Sequence, residues 1–89
     1  MPNKTNGTVI DISQNCGRIA VKLDNGNISV MDIYNPKSFE IGHIIYGQLD
    51  VLGGNFIFNK TTQAEYFAYV EATCCDHETA QRHLLHTLN

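Results

Sequence analysis

The sequence predicts a mainly β protein, in which five or six short antiparallel strands close into a small barrel and one α-helix follows at the C-terminus. Apolar and polar residues alternate with a period of two in the first half of the chain, as in half-buried strands. Seven glycines recur through the chain, and glycine permits the sharp coiling that barrel closure requires. Alanine and leucine recur at helical spacing only near the end. An open six-stranded sheet with the helix across one face is the alternative arrangement.

Length, charge and cysteine content limit the class of protein. The 89 residues suffice for one hydrophobic core, so we expect a single domain. We expect a flexible start over 1–6, the barrel over 7–72 and the helix over 73–88. No apolar run approaches the roughly 20 residues of a membrane span, and we expect neither a membrane segment nor a signal peptide. Three cysteines form no disulfide framework, which favours the reducing cytoplasm.

The first three strands are predicted as a meander. They cover residues 7–12, 17–23 and 28–34. The second strand has the clearest alternation, because Ile19, Val21 and Leu23 fall on one face. Asn25-Gly26 then supplies the positive φ angles that a tight hairpin requires.

A connection and a fourth strand follow. Pro36 ends the third strand because proline cannot donate a hydrogen bond to the sheet. We expect Phe39 and Ile41 to pack as a lid in the connection. The fourth strand is predicted over 43–52, with a turn at the Gly-Gly pair of 53–54.

The last predicted strands cover 55–59 and 64–72. The aromatic residues of 64–72 favour a strand, although its alanines leave a helix open. Thr73 and Asp76 have the spacing of a capping box. Ala80 and Leu84 continue a helical repeat, so the sequence predicts an amphipathic helix from residue 73 onward.

Four segments follow one another at a characteristic spacing: Gly7-Thr8-Val9, Gly17-Arg18-Ile19-Ala20-Val21, Asp24-Asn25-Gly26 and a later step from Phe39 through Gly42 into a strand. In this spacing, residues 7–60 resemble a cold-shock-type OB-fold domain. The resemblance implies an OB-like barrel whose second and third strands present a face to single-stranded nucleic acid.

The aromatic motifs of that family are absent from the matching strands. Residues 15–20 read Asn-Cys-Gly-Arg-Ile-Ala and residues 29–32 read Ser-Val-Met-Asp. Stacking contributes about 1–3 kcal/mol per base, so their absence removes much of the affinity that the family would have. The resemblance therefore bears on the fold more than on the activity.

Four residues are candidates for a ligand-binding surface: Arg18, Lys22, Tyr34 and Tyr46. Arg18 and Lys22 share the outward face of the second strand, where they are either simply solvated or form a small anion or nucleotide site with a tyrosine. Tyr46 and Ile44 have outward parity on the fourth strand, so they form a small apolar patch or pack beneath the helix. We expect most other aromatic side chains in the core: Phe56, Phe58, Tyr66, Phe67 and Tyr69.

Cysteine and histidine cluster near the C-terminus, at Cys74, Cys75, His77, His83 and His86. Thiolate and imidazole are zinc ligands, but adjacent cysteines cannot easily converge on one ion and no second pair completes a tetrahedron. We expect Cys75 in the core or at the helix start, the histidines in solvent, and no metal or cofactor. No nucleophile–base pair or phosphate loop is recognisable, so we expect no enzyme.

Two functions remain open at this point. The first is a non-enzymatic OB-like module that binds single-stranded RNA or DNA weakly, through Arg18, Lys22 and Tyr46. The alternative is a protein-interaction or self-association module, including a homodimer, that uses the Ile44–Tyr46 patch or the C-terminal helix.

Overall fold

The chain forms a closed antiparallel β-barrel with one short helix against its outer surface. The structure is a computed structural model that describes residues 4–85, apart from the side chains of Cys74, Gln81, His83, Leu84 and Leu85. The strands are β1 (Thr5–Ser13), β2 (Arg18–Leu23), β3 (Ile28–Ile33), β4 (Ile44–Gly47), β5 (Gly53–Asn59) and β6 (Ala64–Cys75), and the helix is α1 (His77–Leu85). The strand order is β1-β2-β3-β6-β5-β4, and β4 pairs with β1 to close the barrel. The predicted mainly β barrel with a C-terminal helix is confirmed.

Two three-stranded meanders build this barrel, β1–β2–β3 and β4–β5–β6. The β2–β3 hairpin has the predicted turn: Gly26 has a φ of 92°, and its N–H donates to the Leu23 carbonyl at 2.9 Å. Glycine is needed there because positive φ is costly for a residue with a Cβ atom. Antiparallel pairing of β1 with β4 and of β3 with β6 joins the two meanders.

Aliphatic side chains fill the interior of the barrel. The inward cluster consists of Val9, Ile19, Val21, Leu23, Met31, Ile33, Phe39, Ile45, Leu49, Ile57, Ala68 and Val70. Phe39 follows a 3₁₀ turn and lies with its ring centroid 4.8 Å from that of Tyr66. A Cβ at Gly7 would overlap Cγ1 of Val21, so the interior has no spare volume at this level. Ile41, which was predicted to pack beside Phe39, is exposed.

A second apolar cluster lies outside the barrel, beneath α1. Its buried members are Ala20, Ile28, Val30, Ala72, Cys75 and Ala80. The alanines at the contact have short side chains, which lets the helix lie close to the sheet. The helix therefore covers part of the outer surface of β2, β3 and β6, whereas Tyr46 of β4 and the outer side chains of β5 remain exposed and Ile44 is half-buried.

The boundary between β4 and β5 differs from the prediction. β4 ends at Gly47 rather than at residue 52, and the chain turns over 48–52. Gly53 and Gly54, which were predicted to form the turn, begin β5 instead. Leu49 is buried although it lies outside the strand, so its apolar character reflects packing at the barrel end and not sheet pairing.

The start of the helix also differs. Residues 64–72 form a strand, as preferred, but β6 continues to Cys75 and includes Thr73, so Thr73 cannot cap the helix. The helix begins at His77, and Asp76 provides the cap by accepting a hydrogen bond from the Thr79 N–H at 2.8 Å. This hydrogen bond lowers the pKa of Asp76 below its ordinary value.

The first strand begins earlier in the chain than predicted. Thr5 and Asn6, which lie in the segment 1–6 expected before the barrel, pair in β1 with Gly47 and Tyr46 of β4. Their pairing is part of the β1–β4 contact that closes the barrel. Residues 1–3 and the predicted helix residues 86–88 lie outside the described part of the chain.

Candidate binding face on the outer surface of β4, β5 and β6

Five aromatic side chains lie together on the outer surface of three adjacent strands. We call this surface the aromatic face; it consists of Tyr46, Phe56, Phe58, Phe67 and Tyr69. Each of these residues is 38 to 65% exposed. The residues that alternate with them point into the barrel and are buried: Ile45, Ile57, Ala68 and Val70.

The sheet register sets the spacing of these rings. Tyr46 lies opposite Phe58, and Phe56 lies opposite Phe67. The Phe56 and Phe67 rings meet edge to face, with centroids 5.3 Å apart and planes at 75°. Gly54 leaves room for the Phe67 ring, since a Cβ there would stand 2.5 Å from Phe67 Cζ. The rings therefore form one continuous surface of neighbouring side chains.

Two charged residues lie at one end of the aromatic face. The Lys60 ammonium lies 5.5 Å from the centroid of the Tyr46 ring and 3.3 Å from Asn6 Oδ1. Glu65 is exposed and lies opposite Phe58 on β6. Lys60 is therefore on the β4 side of this end, and Glu65 is on the β6 side.

Asn59 holds the turn that begins at Lys60. Its side chain is fully buried, and Oδ1 accepts hydrogen bonds from the N–H groups of Thr61 at 3.0 Å and Thr62 at 3.1 Å. Nδ2 lies 3.0 Å from Nδ1 of His43, which ties the turn to the residue before β4. The amide therefore connects the turn after β5 to the start of β4.

Arg18, predicted as a ligand-binding cation, is held by two carboxylates. Its Nε lies 2.7 Å from Asp32 Oδ1 and its Nη2 lies 2.6 Å from Glu71 Oε2, and the side chain is only 18% exposed. The hydrogen bond to Asp32 raises the pKa of Arg18, which outweighs the opposite effect of burial. These ion pairs join β2, β3 and β6 and occupy the guanidinium.

The structure does not bring the four predicted ligand residues together. Arg18 lies at one end of β2, and Tyr34 is fully exposed just beyond the neighbouring end of β3. Lys22 lies at the opposite end of β2, about 13 Å away along the strand. It is exposed, and the register links it through Thr8 of β1 to Ile44 of β4, two residues before Tyr46. Tyr46 is exposed and does not pack beneath the helix.

The cysteine and histidine group is only partly described. Cys75 is buried under α1, with Sγ 3.7 Å from the Thr73 carbonyl oxygen, and His77 is exposed. The side chains of Cys74 and His83, and all of His86, lie outside what the structure describes. Within the described residues, no three His, Cys, Asp or Glu side chains are grouped as metal ligands.

The prediction that the aromatic residues of β5 and β6 lie largely in the core is wrong for four of them. Phe56, Phe58, Phe67 and Tyr69 face outward, and of the predicted set only Tyr66 packs against the interior. In β6 the sequence contained one indication of the true orientation: Ala68 and Val70 alternate with Phe67 and Tyr69 and form a small apolar stripe that could face inward in their place. In β5 the alternation of apolar and polar residues was misleading, because the side of the strand that faces the interior includes a polar residue, Asn59.

Comparisons with known proteins identify no relative of this chain. No family model matches it, and none of the curated proteins or solved structures searched matches it either. In the described residues, no helix has the length and apolar character needed to span a membrane.

Proposed function

We propose that this chain is a non-enzymatic binding module of the reducing cytoplasm that docks a protein partner through the aromatic face. The observation that carries the proposal is the exposure of five aromatic side chains on three adjacent strands. Aromatic residues concentrate at the centres of protein interfaces, where they contribute a large share of the binding energy.

The closed barrel limits how a partner can bind. A strand with an unpaired edge can be extended by a peptide strand, but every described strand of the closed barrel has a partner on both sides over at least part of its length. We therefore expect recognition to depend mainly on side chains that point outward. The helix already covers part of the outer surface of β2 and β3, whereas Tyr46 of β4, the outer side chains of β5 and the first part of β6 are exposed.

The size of the aromatic face supports an interaction role. With about 200 Å² for each aromatic side chain, the observed exposures correspond to roughly 500 Å² of accessible surface. The largest apolar patch on a typical monomer measures about 300–600 Å² and often has a function. Val51 and Leu52 are exposed in the turn before β5, at the end of the strand remote from Lys60, and extend the apolar surface.

Charge favours a protein over a nucleic acid. Strong binding to phosphates requires several available cations, but the chain has a net charge of −3. At one end the aromatic face is bordered by one cation, Lys60, and one anion, Glu65. Beside Tyr69 it is bordered by Asp32 and Glu71, the two carboxylates that occupy Arg18.

Single-stranded nucleic acid is the second candidate. It is supported by the exposed rings on neighbouring strands, because bases stack on such rings with little dependence on sequence. Lys60 and Lys22 would then contact the backbone. Binding of a labelled oligonucleotide at low salt, measured by fluorescence anisotropy, tests this candidate directly.

A selection from a displayed peptide library tests the protein-binding proposal. The wild-type chain should enrich peptides rich in aromatic and aliphatic residues. The Phe56→Ser/Phe67→Ser double variant should bind those peptides at least tenfold more weakly, since buried aromatic anchors contribute about 2 kcal/mol or more each. Tyr34→Ser is the matched control, because Tyr34 is fully exposed but lies outside the aromatic face.

Three outcomes separate the candidates. Peptide binding that the double variant loses and Tyr34→Ser retains supports the proposal. Binding of oligonucleotides but not peptides, with the same dependence on Phe56 and Phe67, replaces it with the nucleic-acid candidate. Peptide binding that is equal in all three proteins shows that the aromatic face is not the site.

A further inference from the structure

We infer that the aromatic face binds a second copy of this chain, so that two barrels associate face to face around a two-fold axis parallel to β5. The inference rests on the proposed function, since it names the protein that the aromatic face would bind. It is carried by the placement of Lys60 and Glu65 on opposite sides of the same end of this surface.

The layout of the aromatic face relative to β5 is the first step. β5 runs along its middle, with Phe56 and Phe58 pointing outward. Tyr46 on β4 lies to one side, and Phe67 and Tyr69 on β6 lie to the other. With strands about 4.8 Å apart, the surface is about 10 Å wide from β4 to β6.

The two-fold axis exchanges the sides of this surface. A rotation of 180° about an axis parallel to β5 places the β4 side of one copy against the β6 side of the other, at the same level along the strand. Lys60 of each copy then faces Glu65 of the other, and the Phe58 rings meet near the axis. The contact is isologous, so it closes at a dimer and does not propagate into a fibre.

The contacts that Lys60 and Glu65 make within one copy agree with this pairing. Glu65 makes no ion pair with any residue that the structure describes. The Lys60 ammonium contacts an amide oxygen of Asn6 and the Tyr46 ring, neither of which neutralises its charge. Two such pairs in the dimer would offset part of the repulsion between two chains that each carry a net charge of −3.

The area of the surface is at the lower end of what a dimer needs. Roughly 500 Å² from the rings of each copy gives about 1,000 Å² in total, which is the threshold for a specific interface. The exposed side chains of Val51 and Leu52 add to this at the far end of β5. We therefore expect a reversible dimer with a dissociation constant in the micromolar range.

Sedimentation equilibrium of the full chain between about 5 and 500 μM tests the inference. The wild type should show a monomer–dimer equilibrium that Phe56→Ser/Phe67→Ser abolishes and Tyr34→Ser leaves unchanged. Lys60→Glu and Glu65→Lys should each weaken the dimer about tenfold or more, because each creates two repulsive contacts. The Lys60→Glu/Glu65→Lys double variant should restore the wild-type constant to within about threefold.

Net charge alone predicts a different order of these variants. Lys60→Glu takes the charge of the chain from −3 to −5, whereas Glu65→Lys takes it from −3 to −1. If only overall repulsion mattered, Glu65→Lys would strengthen the dimer. Weakening by both single changes, with recovery in the double variant, therefore identifies the direct pairing of Lys60 with Glu65.

The remaining outcomes overturn the inference and separate it from the proposed function. A wild-type chain that remains monomeric throughout, or a dimer that the Phe56→Ser/Phe67→Ser variant retains, excludes this interface. If the monomer still selects peptides through Phe56 and Phe67, the proposed function stands and the partner is another protein. If instead it binds labelled oligonucleotides through the same residues, or selects nothing, both fail.

Discussion

Replacing Asn59 with alanine should destabilise the barrel at the turn that carries the charged end of the aromatic face. Asn59 is fully buried, and its side chain receives hydrogen bonds from Thr61 and Thr62 and bonds to His43. Alanine removes all three hydrogen bonds and leaves a small cavity beneath the turn. The turn that begins at Lys60 would then lose its connection to His43 and the start of β4.

The magnitude follows from the three bonds. Each contributes about 1 kcal/mol, and the exposed threonines can recover part of the loss by bonding to water, so we expect a total loss of about 3 kcal/mol once the cavity is included. For a domain of this size that is a large part of the free energy of unfolding, which is about 5–15 kcal/mol. With a urea m-value near 1–1.5 kcal/mol/M, the midpoint should fall by about 2–3 M.

Equilibrium unfolding in urea, followed by circular dichroism, measures this loss. Asn55→Ala is the matched control: Asn55 lies on the same strand with the same parity, it is half-buried, and it makes no side-chain hydrogen bond to any described residue. It should cost less than about 1 kcal/mol. Equal losses in the two variants, or a loss below 1 kcal/mol for Asn59→Ala, would refute the argument that the buried amide holds the turn.

Two further predictions concern the interior and the helix. Gly7→Ala should destabilise the barrel by about 1–3 kcal/mol in the same urea assay, because the new Cβ would overlap Cγ1 of Val21 and lie 3.1 Å from methyl carbons of Leu23 and Leu49. A cost below about 0.5 kcal/mol would contradict the tight interior. The pKa of Asp76 is lowered in the folded state, so its carboxylate favours folding above its ordinary pKa of 3.8, and this contribution disappears as the pH falls through the lowered value. The helical signal at 222 nm should therefore fall between about pH 5 and pH 2 more in the wild type than in Asp76→Asn, whose amide oxygen can accept the Thr79 N–H at every pH. An equal fall in both would exclude Asp76 as the source.

The hairpins and most strands could be predicted from local sequence alone. Alternation of Ile19, Val21 and Leu23 with polar residues, followed by Asn25-Gly26, is sufficient for a hairpin because both signals act within a few residues. The start of the helix was harder to predict from local sequence. A threonine and an acid at capping distance occur at 73–76, but pairing of β6 with β3 holds this segment extended, and that long-range pairing outweighs the local cap.

The candidate site was predicted only in part. Parity placed Tyr46 outward, and it is exposed. The same reasoning placed Arg18 outward, and Asp32 lies opposite it on the next strand of the predicted hairpin. It could not reveal Glu71, because β6 reaches this position only through its long-range pairing with β3. Burial of the remaining aromatic residues was inferred from their hydrophobicity, which does not specify the side of the sheet.

The extended segments, the tight turn after β2 and the terminal helix depend on interactions between close neighbours in the chain, so they can be predicted from local sequence. Which side of β5 and β6 faces inward depends instead on how the closed barrel packs. The barrel encloses a small, fixed volume that aliphatic side chains and Phe39 already fill. At the level of Gly7 the interior has no room even for an added Cβ atom. Phe56 and Phe67 are therefore on the outside because close packing limits what a six-stranded barrel can hold, and the surface they form exists only once that interior is full.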